Sequence, residues 1–217
     1  LLCRDIIWFA AYRLGSLLHW QVEAINPMNV SLLNKANLAV IIASMLISAY
    51  AFYEGVKEPR LVELTLQSSK ISRPVDIIIL SDLHVDRTTS VKSLKHLVAR
   101  VKGLRPDAVL IAGDLVDDKV SKMPEQIAAL RQIRAPYGTY IVLGNHEFYA
   151  DIRSWMPEFL TMGYRFLYNS GFNLDNYNLY IGGIPDYNTT RLASSPMSPD
   201  MEETLRASSP DSYKILL

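Results

Sequence analysis

Three short apolar runs in this chain each end in residues able to act as ligands, and that repetition constrains the fold more than any other feature. Residues 75–80 run into Ser81-Asp82-Leu83-His84, residues 108–112 into Gly113-Asp114, and residues 139–143 into Gly144-Asn145-His146-Glu147. Between them, residues 90–101 and 124–133 carry apolar side chains at helical spacing. Strands alternating with helices argue for a layered α/β domain. Sheets of this kind bind ligands just outside the carboxyl ends of their strands. Three such ends in one sheet would bring Asp82, His84, Asp114, Asn145 and His146 to one crevice. Gly113 and Gly144 suit that picture, because a residue without Cβ lets the backbone turn sharply and approach a ligand closely.

Carboxylate and amide oxygens mixed with imidazole suit first-row divalent ions such as Mn, Fe or Zn. The only cysteine is Cys3, which argues against a thiolate-rich structural zinc site. A single ion is one possibility. Asp114 lies between the other groups in chain order, however, and a carboxylate can bridge two ions at the separation of about 3.5–4 Å that two-metal hydrolases use. Two ions lower the pKa of a shared water and neutralise charge on a phosphoryl group in the transition state. Phosphoester hydrolysis is the natural use of such a pair. Nucleic acid is a poor partner, because the formal net charge is +0 and no basic footprint is present.

In order along the chain, Asp82-Leu83-His84, Gly113-Asp114-Leu115-Val116-Asp117 and Gly144-Asn145-His146-Glu147 resemble the Asp-x-His, Gly-Asp-x-x-Asp and Gly-Asn-His-Asp/Glu blocks of the calcineurin-like metallophosphoesterases. The resemblance runs from about residue 61 onward. It implies a layered β-sandwich flanked by helices and a two-metal phosphoesterase acting on phosphomonoesters or phosphodiesters. It also implies roles: Asp82 and His84 on the first ion, Asp114 bridging, and Asn145 on the second ion through its side-chain oxygen. His146 would be the general acid, and Asp117 and Glu147 would orient the ligands or the acid. The family's later blocks, a lone histidine and then Gly-His-x-His, have no counterpart here, since His19 and His96 both precede Asp114. The chain opens on Leu1 and stops inside the apolar run 214–217. We therefore expect a piece of a longer protein, inactive by itself, with the missing histidines beyond residue 217.

Ahead of this domain, residues 36–53 are eighteen residues without a charge, close to the length that crosses a hydrocarbon core about 30 Å thick. Tyr50, Phe52 and Tyr53 cluster at one end as interface aromatics do, and Glu54 and Lys57 follow. Residues 6–18 are also apolar at helical spacing, with Arg13 among them. The expected organisation is a membrane-associated segment over residues 1–58, with a transmembrane helix at about 36–53, followed by a phosphoesterase domain over 59–217. Lysine and arginine fall on both sides of the span and do not fix its orientation. A membrane helix in this place resembles a bacterial membrane-anchored branch of the family, which implies a cytoplasmic-membrane location and a membrane-proximal or lipid-linked phosphoester. The alternative is a non-catalytic membrane protein that keeps the scaffold for binding. Further strands are predicted at residues 61–66, 165–168 and 178–181, helices at 152–162 and 200–207, and a loop at 194–199.

Overall fold

The computed structural model describes residues 2–20, 22, 26, 27, 29–55, 57, 59–188 and 198–217, and the chain divides into two compact units, Leu1–Pro59 and Arg60–Leu217. The first unit holds α1 (Leu2–Leu17) and α2 (Val30–Gly55), joined by a hydrogen bond from Arg4 to Asn37. With 26 residues, α2 is about 39 Å long at 1.5 Å per residue. None of its residues is buried, and the consecutive Met45, Leu46 and Ile47 are each more than half exposed. Three successive residues point to three sides of a helix, so no face of α2 is set aside for a protein core. Its length and composition are those of a membrane span.

In the second unit, β1 (Ile77–Leu80), β2 (Ala108–Ala112), β3 (Thr139–Val142) and β4 (Tyr164–Phe166) form a parallel sheet in that order. A second sheet has β5 (Ser170–Leu174) antiparallel to β6 (Leu179–Gly183), which runs parallel to β7 (Tyr213–Leu216). The helices are α3 (Val91–Gly103), α4 (Pro124–Leu130), α5 (Asn145–Tyr149), α6 (Ile152–Thr161) and α7 (Met201–Leu205). Ser90 caps α3 by accepting from the Ser93 N–H, with Arg100 and Lys102 in the last turn against the helix dipole. Pro124 opens α4, where its missing N–H costs nothing.

Side-chain alternation on β2 and β3 builds two cores. Val109, Ile111, Ile141 and Leu143 pack with Leu94, Val98, Leu130, Trp155 and Phe159 of α3, α4 and α6. Leu110, Tyr140 and Val142 point the other way, against Leu174, Leu179 and Ile181 of the second sheet. Tyr180, on the far face of β6, hydrogen-bonds through its hydroxyl to the Thr204 carbonyl of α7. The layers are thus helices, parallel sheet, mixed sheet and helix, which is the expected sandwich flanked by helices.

The alternation at residues 61–66 predicts a strand, but they pair with no strand among the described residues, and Val62 and Leu64 are 83% and 78% exposed. Alternation prepares a segment for a ladder, but only an available edge completes one. Strand β5 carries no such pattern and is a strand through its pairing with β6, where Gly171 leaves room for Tyr180, whose ring would lie 2.4 Å from an added Cβ. The helical turn α5 was also not anticipated. Of the loop expected at 194–199, residues 194–197 lie outside the described residues.

Candidate metal centre

Parallel strands deliver the motif residues to one edge. After β1 and β2 the chain leaves in two loops that run side by side: the Asp82 N–H donates to Gly113 O, His84 N–H to Asp114 O, Val85 N–H to Leu115 O, and Asp117 N–H back to Val85 O. Asp82, His84 and Asp114 each offer one donor atom in a group whose atoms all lie within 4.8 Å of one another. The backbone that carries them is strained, with φ of 53° at Asp82, 44° at His84 and 49° at Asp114. Left-handed backbone costs a residue with a Cβ about 1–2 kcal/mol. Three such costs on adjoining loops, all at ligand-type residues, mark a place where geometry is held for a purpose other than stability.

Two glycines make the approach of the third strand possible. Gly113 has φ of +84°, and a Cβ there would lie 2.9 Å from the Gly144 nitrogen. At Gly144 a Cβ would meet Asp114 Oδ1 at 2.1 Å. The ends of β2 and β3 therefore touch backbone to backbone, and the His146 N–H donates to the same Asp114 oxygen at 3.0 Å. Asn145 lies in sequence between Gly144 and His146, which make these two contacts, and is half-buried.

Glu147 fixes this junction. It is fully buried, and its carboxylate accepts four backbone N–H groups: Leu115 at 2.6 Å and Val116 at 3.2 Å on Oε1, Gly144 at 2.8 Å and Asp114 at 3.1 Å on Oε2. Burial pushes its carboxyl above the ordinary range, and the four donors pull the other way. The sequence marks Glu147 as an orienting residue; the structure adds that it orients backbone, tying the loop after β2 to the start of α5.

Asp117 holds two imidazoles with one oxygen. His84 Nδ1 lies 2.9 Å and His146 Nδ1 2.7 Å from Asp117 Oδ1, and the two rings meet edge to face with centroids 4.4 Å apart. A carboxylate can only accept, so each Nδ1 is the donor, which leaves Nε2 of both rings free for other work. The Asp117 hydrogen bond raises the His84 imidazole above its ordinary value against the opposing effect of burial, and the charges of Asp117, Asp114 and Asp82 add to the rise. A field that favours a proton on His84 also favours a divalent cation. The donor set of carboxylates and imidazole nitrogen therefore fits such an ion.

The neighbouring Asp118 does structural work. Its carboxylate lies 2.8 Å from Arg87 Nε and 3.6 Å from Lys122 Nζ and accepts the Lys119 N–H, while its carbonyl accepts from Trp155 Nε1. One residue that the motifs do not reveal also lies here: Tyr149, whose ring is edge-on to His146 at 5.5 Å. Sequence alone carries no signal for it, because the helical turn that sets it three residues after His146 was not anticipated.

Acids and imidazoles gathered at the ends of parallel strands in a layered α/β domain make a candidate metal centre. Residues 75–210 match the family model described as calcineurin-like phosphoesterase, and the chain belongs to that family. Members of this family bind divalent metals. A zebrafish protein named "Transmembrane protein with metallophosphoesterase domain" is 28% identical over 214 residues, covering 94% of this chain and 49% of its own length. An uncharacterized metallophosphoesterase of Helicobacter pylori strain J99 is 30% identical over 166 residues, covering 76% of this chain and 44% of its own. One from Bacillus subtilis is 26% identical over 177 residues, covering 76% and 59%. The chain spans about half the length of the curated relatives it matches. The apolar helix α2 and the zebrafish relative's name both point to membrane association.

Proposed function

We propose that residues 59–217 form the phosphoesterase domain of a membrane-anchored enzyme that hydrolyses phosphomonoesters or phosphodiesters, with residues 1–58 as its membrane segment. Two divalent ions, of Mn, Fe or Zn type, would be held by Asp82 and His84 on one side and Asn145 on the other, with Asp114 between them. When bound, such ions supply positive charge to the phosphoryl group and lower the pKa of water. The observation that carries the reading is the gathering of Asp82, His84 and Asp114 donor atoms within 4.8 Å beside a histidine pair oriented by Asp117.

The chain's own residues divide the remaining work. His84 keeps its proton on Nδ1 against Asp117, so Nε2 faces the ligand cluster, 3.9 Å from Asp82 Oδ1. His146, held in the same way, can deliver a proton from Nε2 to the departing oxygen while Asp117 stabilises the proton that stays on Nδ1. The N–H of His146 and the carboxylate of Glu147 keep Asp114 and its loop in place. The span at α2 supports an anchored enzyme, and anchoring favours a membrane-proximal or lipid-linked substrate. A bacterial cytoplasmic membrane is our reading of the branch the sequence resembles.

Within residues 1–217 the second ion has two donors in this scheme, Asp114 and Asn145, so metal content is a more direct readout than turnover. Purified chain loaded with Mn²⁺ and desalted should retain metal, and Asp114→Ala should lose most of it, together with any hydrolysis of bis-p-nitrophenyl phosphate. Equal metal content in the parent and Asp114→Ala would refute the assignment. Metal retention without hydrolysis of any phosphoester would favour the binding scaffold instead.

A further inference from the structure

Tyr149 lies three residues after His146 on α5, so both side chains leave the same face of the helix. The ring planes meet at 76° with centroids 5.5 Å apart. Asp117 occupies His146 Nδ1 at 2.7 Å, so the nitrogen left to meet a departing oxygen is Nε2. Whatever group that oxygen carries must extend over the surface beside His146. Tyr149 forms part of that surface and is 63% exposed.

Exposed aromatic rings are few in this unit. Among the described residues from Arg60 to Leu217, those leaving most of their surface in water are Tyr149 and Tyr187. Both lie at the strand-end edge that carries the metal centre: Tyr149 closes α5, the helix that follows β3, and the Asp186 N–H, one residue before Tyr187, donates to Leu143 O just after β3. The large rings of the other edges and faces are packed away, as Trp155, Tyr164, Phe159 and Tyr180 are. A tyrosine ring offers apolar area to a ligand while its hydroxyl stays wet, so it can lie in solvent until a partner arrives.

We infer that Tyr149 is a specificity-determining residue that receives the organic group on the leaving oxygen, so the site favours phosphoesters of alcohols bearing an aromatic or bulky apolar group. This rests on the phosphoesterase reading above and deepens it. His146 would meet the oxygen and Tyr149 the carbon skeleton attached to it.

The test uses the full chain in detergent micelles with Mn²⁺, titrated calorimetrically with inorganic phosphate, methylphosphonate and phenylphosphonate. The phosphonates cannot be hydrolysed at the P–C bond and place a small or an aromatic group where the leaving group would lie. The parent should bind phenylphosphonate about two- to tenfold more tightly than methylphosphonate, the range one aromatic contact supplies. Tyr149→Ala should abolish that preference with phosphate affinity kept within about twofold, and Tyr149→Phe should retain it. If Tyr149→Ala leaves the phenyl preference intact, or weakens all three ligands alike, the inference is overturned while the metal-site reading stands. If none of the three ligands binds the parent in a Mn²⁺-dependent way, the site reading fails and takes this inference with it.

Discussion

Replacing Glu147 by glutamine should destabilise the second unit by about 2–4 kcal/mol. The carboxylate serves two backbone N–H groups on each oxygen, Leu115 and Val116 on one, Gly144 and Asp114 on the other. Glutamine keeps a single oxygen. Whichever way the amide turns, its NH₂ faces two buried donors that then have no acceptor, at about 1–3 kcal/mol each. Part of that is offset, because the parent keeps a charge in a fully buried place, where burial raises its carboxyl pKa, and the neutral amide escapes this desolvation. The amide is nearly the same size as the acid, so cavity formation adds little.

The measurement is thermal unfolding of the full chain in detergent with chelator present, so that metal binding does not enter. Of the three tryptophans, Trp155 alone lies in the unit Arg60–Leu217, and it is fully buried, so the change in its emission on unfolding reports on this unit. A loss of about 3 kcal/mol in a domain of this size lowers the midpoint by roughly 6–12 °C. A fall of less than about 2 °C would refute the reasoning, since it would mean that those four N–H groups do not depend on the carboxylate. Because Glu147 also holds the Asp114 backbone, metal affinity should drop by about 10–100-fold, as it does when residues supporting metal ligands are changed.

Other changes test neighbouring parts of the same frame. Gly144→Ala places a Cβ 2.1 Å from Asp114 Oδ1; it should cost about 1–3 kcal/mol by overpacking and reduce retained Mn²⁺, as read by unfolding and metal content. Removing metal by dialysis against chelator should lower the parent's midpoint, by about 2.7 kcal/mol of linkage if free metal had stood at 100 times its Kd, and should leave Asp114→Ala unchanged. Asp118 has its pKa lowered first by the Lys119 N–H and then, against burial, by Arg87 and Lys122. It therefore contributes stability that is present above about pH 4, the unfolded value, and lost as pH falls through the lower folded value. Asp118→Asn should remove that part of the acid destabilisation, so melting curves taken from pH 6 down to pH 2 should fall less steeply than the parent's.

What could be read from sequence follows from how each element is stabilised. Strands β2 and β3 were legible because both faces of the parallel sheet are covered there, so their apolar runs are continuous and sharply bounded; β1 was legible from its unbroken Ile77–Leu80 run, although Ile79 is exposed. Helix α2 was legible because a span needs only length and apolarity. Strand β5 was not anticipated, and the strand expected at 61–66 does not form among the described residues, for opposite reasons. Ser170-Gly-Phe-Asn-Leu is a strand because β6 lies beside it, and residues 61–66 have the pattern with no pairing neighbour among the described residues. The roles at the site divide in the same way. That Asp82, His84 and Asp114 meet follows from strand order, while the single oxygen of Asp117 shared by two imidazoles, and the four donors on Glu147, depend on loop geometry that no spacing encodes.

The contrast between Asp82 and Glu147 explains how strained, charged loops persist. The Asp82 side chain is 66% exposed and the Glu147 residue is fully buried, although both are acids at strand ends. Donors that must take up a cation have to keep their charge accessible, and left-handed backbone at Asp82, His84 and Asp114 makes that geometry costly. The compensation comes from elsewhere in the same junction: a Gly113–Gly144 contact that admits no Cβ, and one desolvated carboxylate that closes four backbone hydrogen bonds. Loosening that buried support should therefore weaken cation binding before it unfolds the domain, because the strain it opposes is concentrated in the ligand loops.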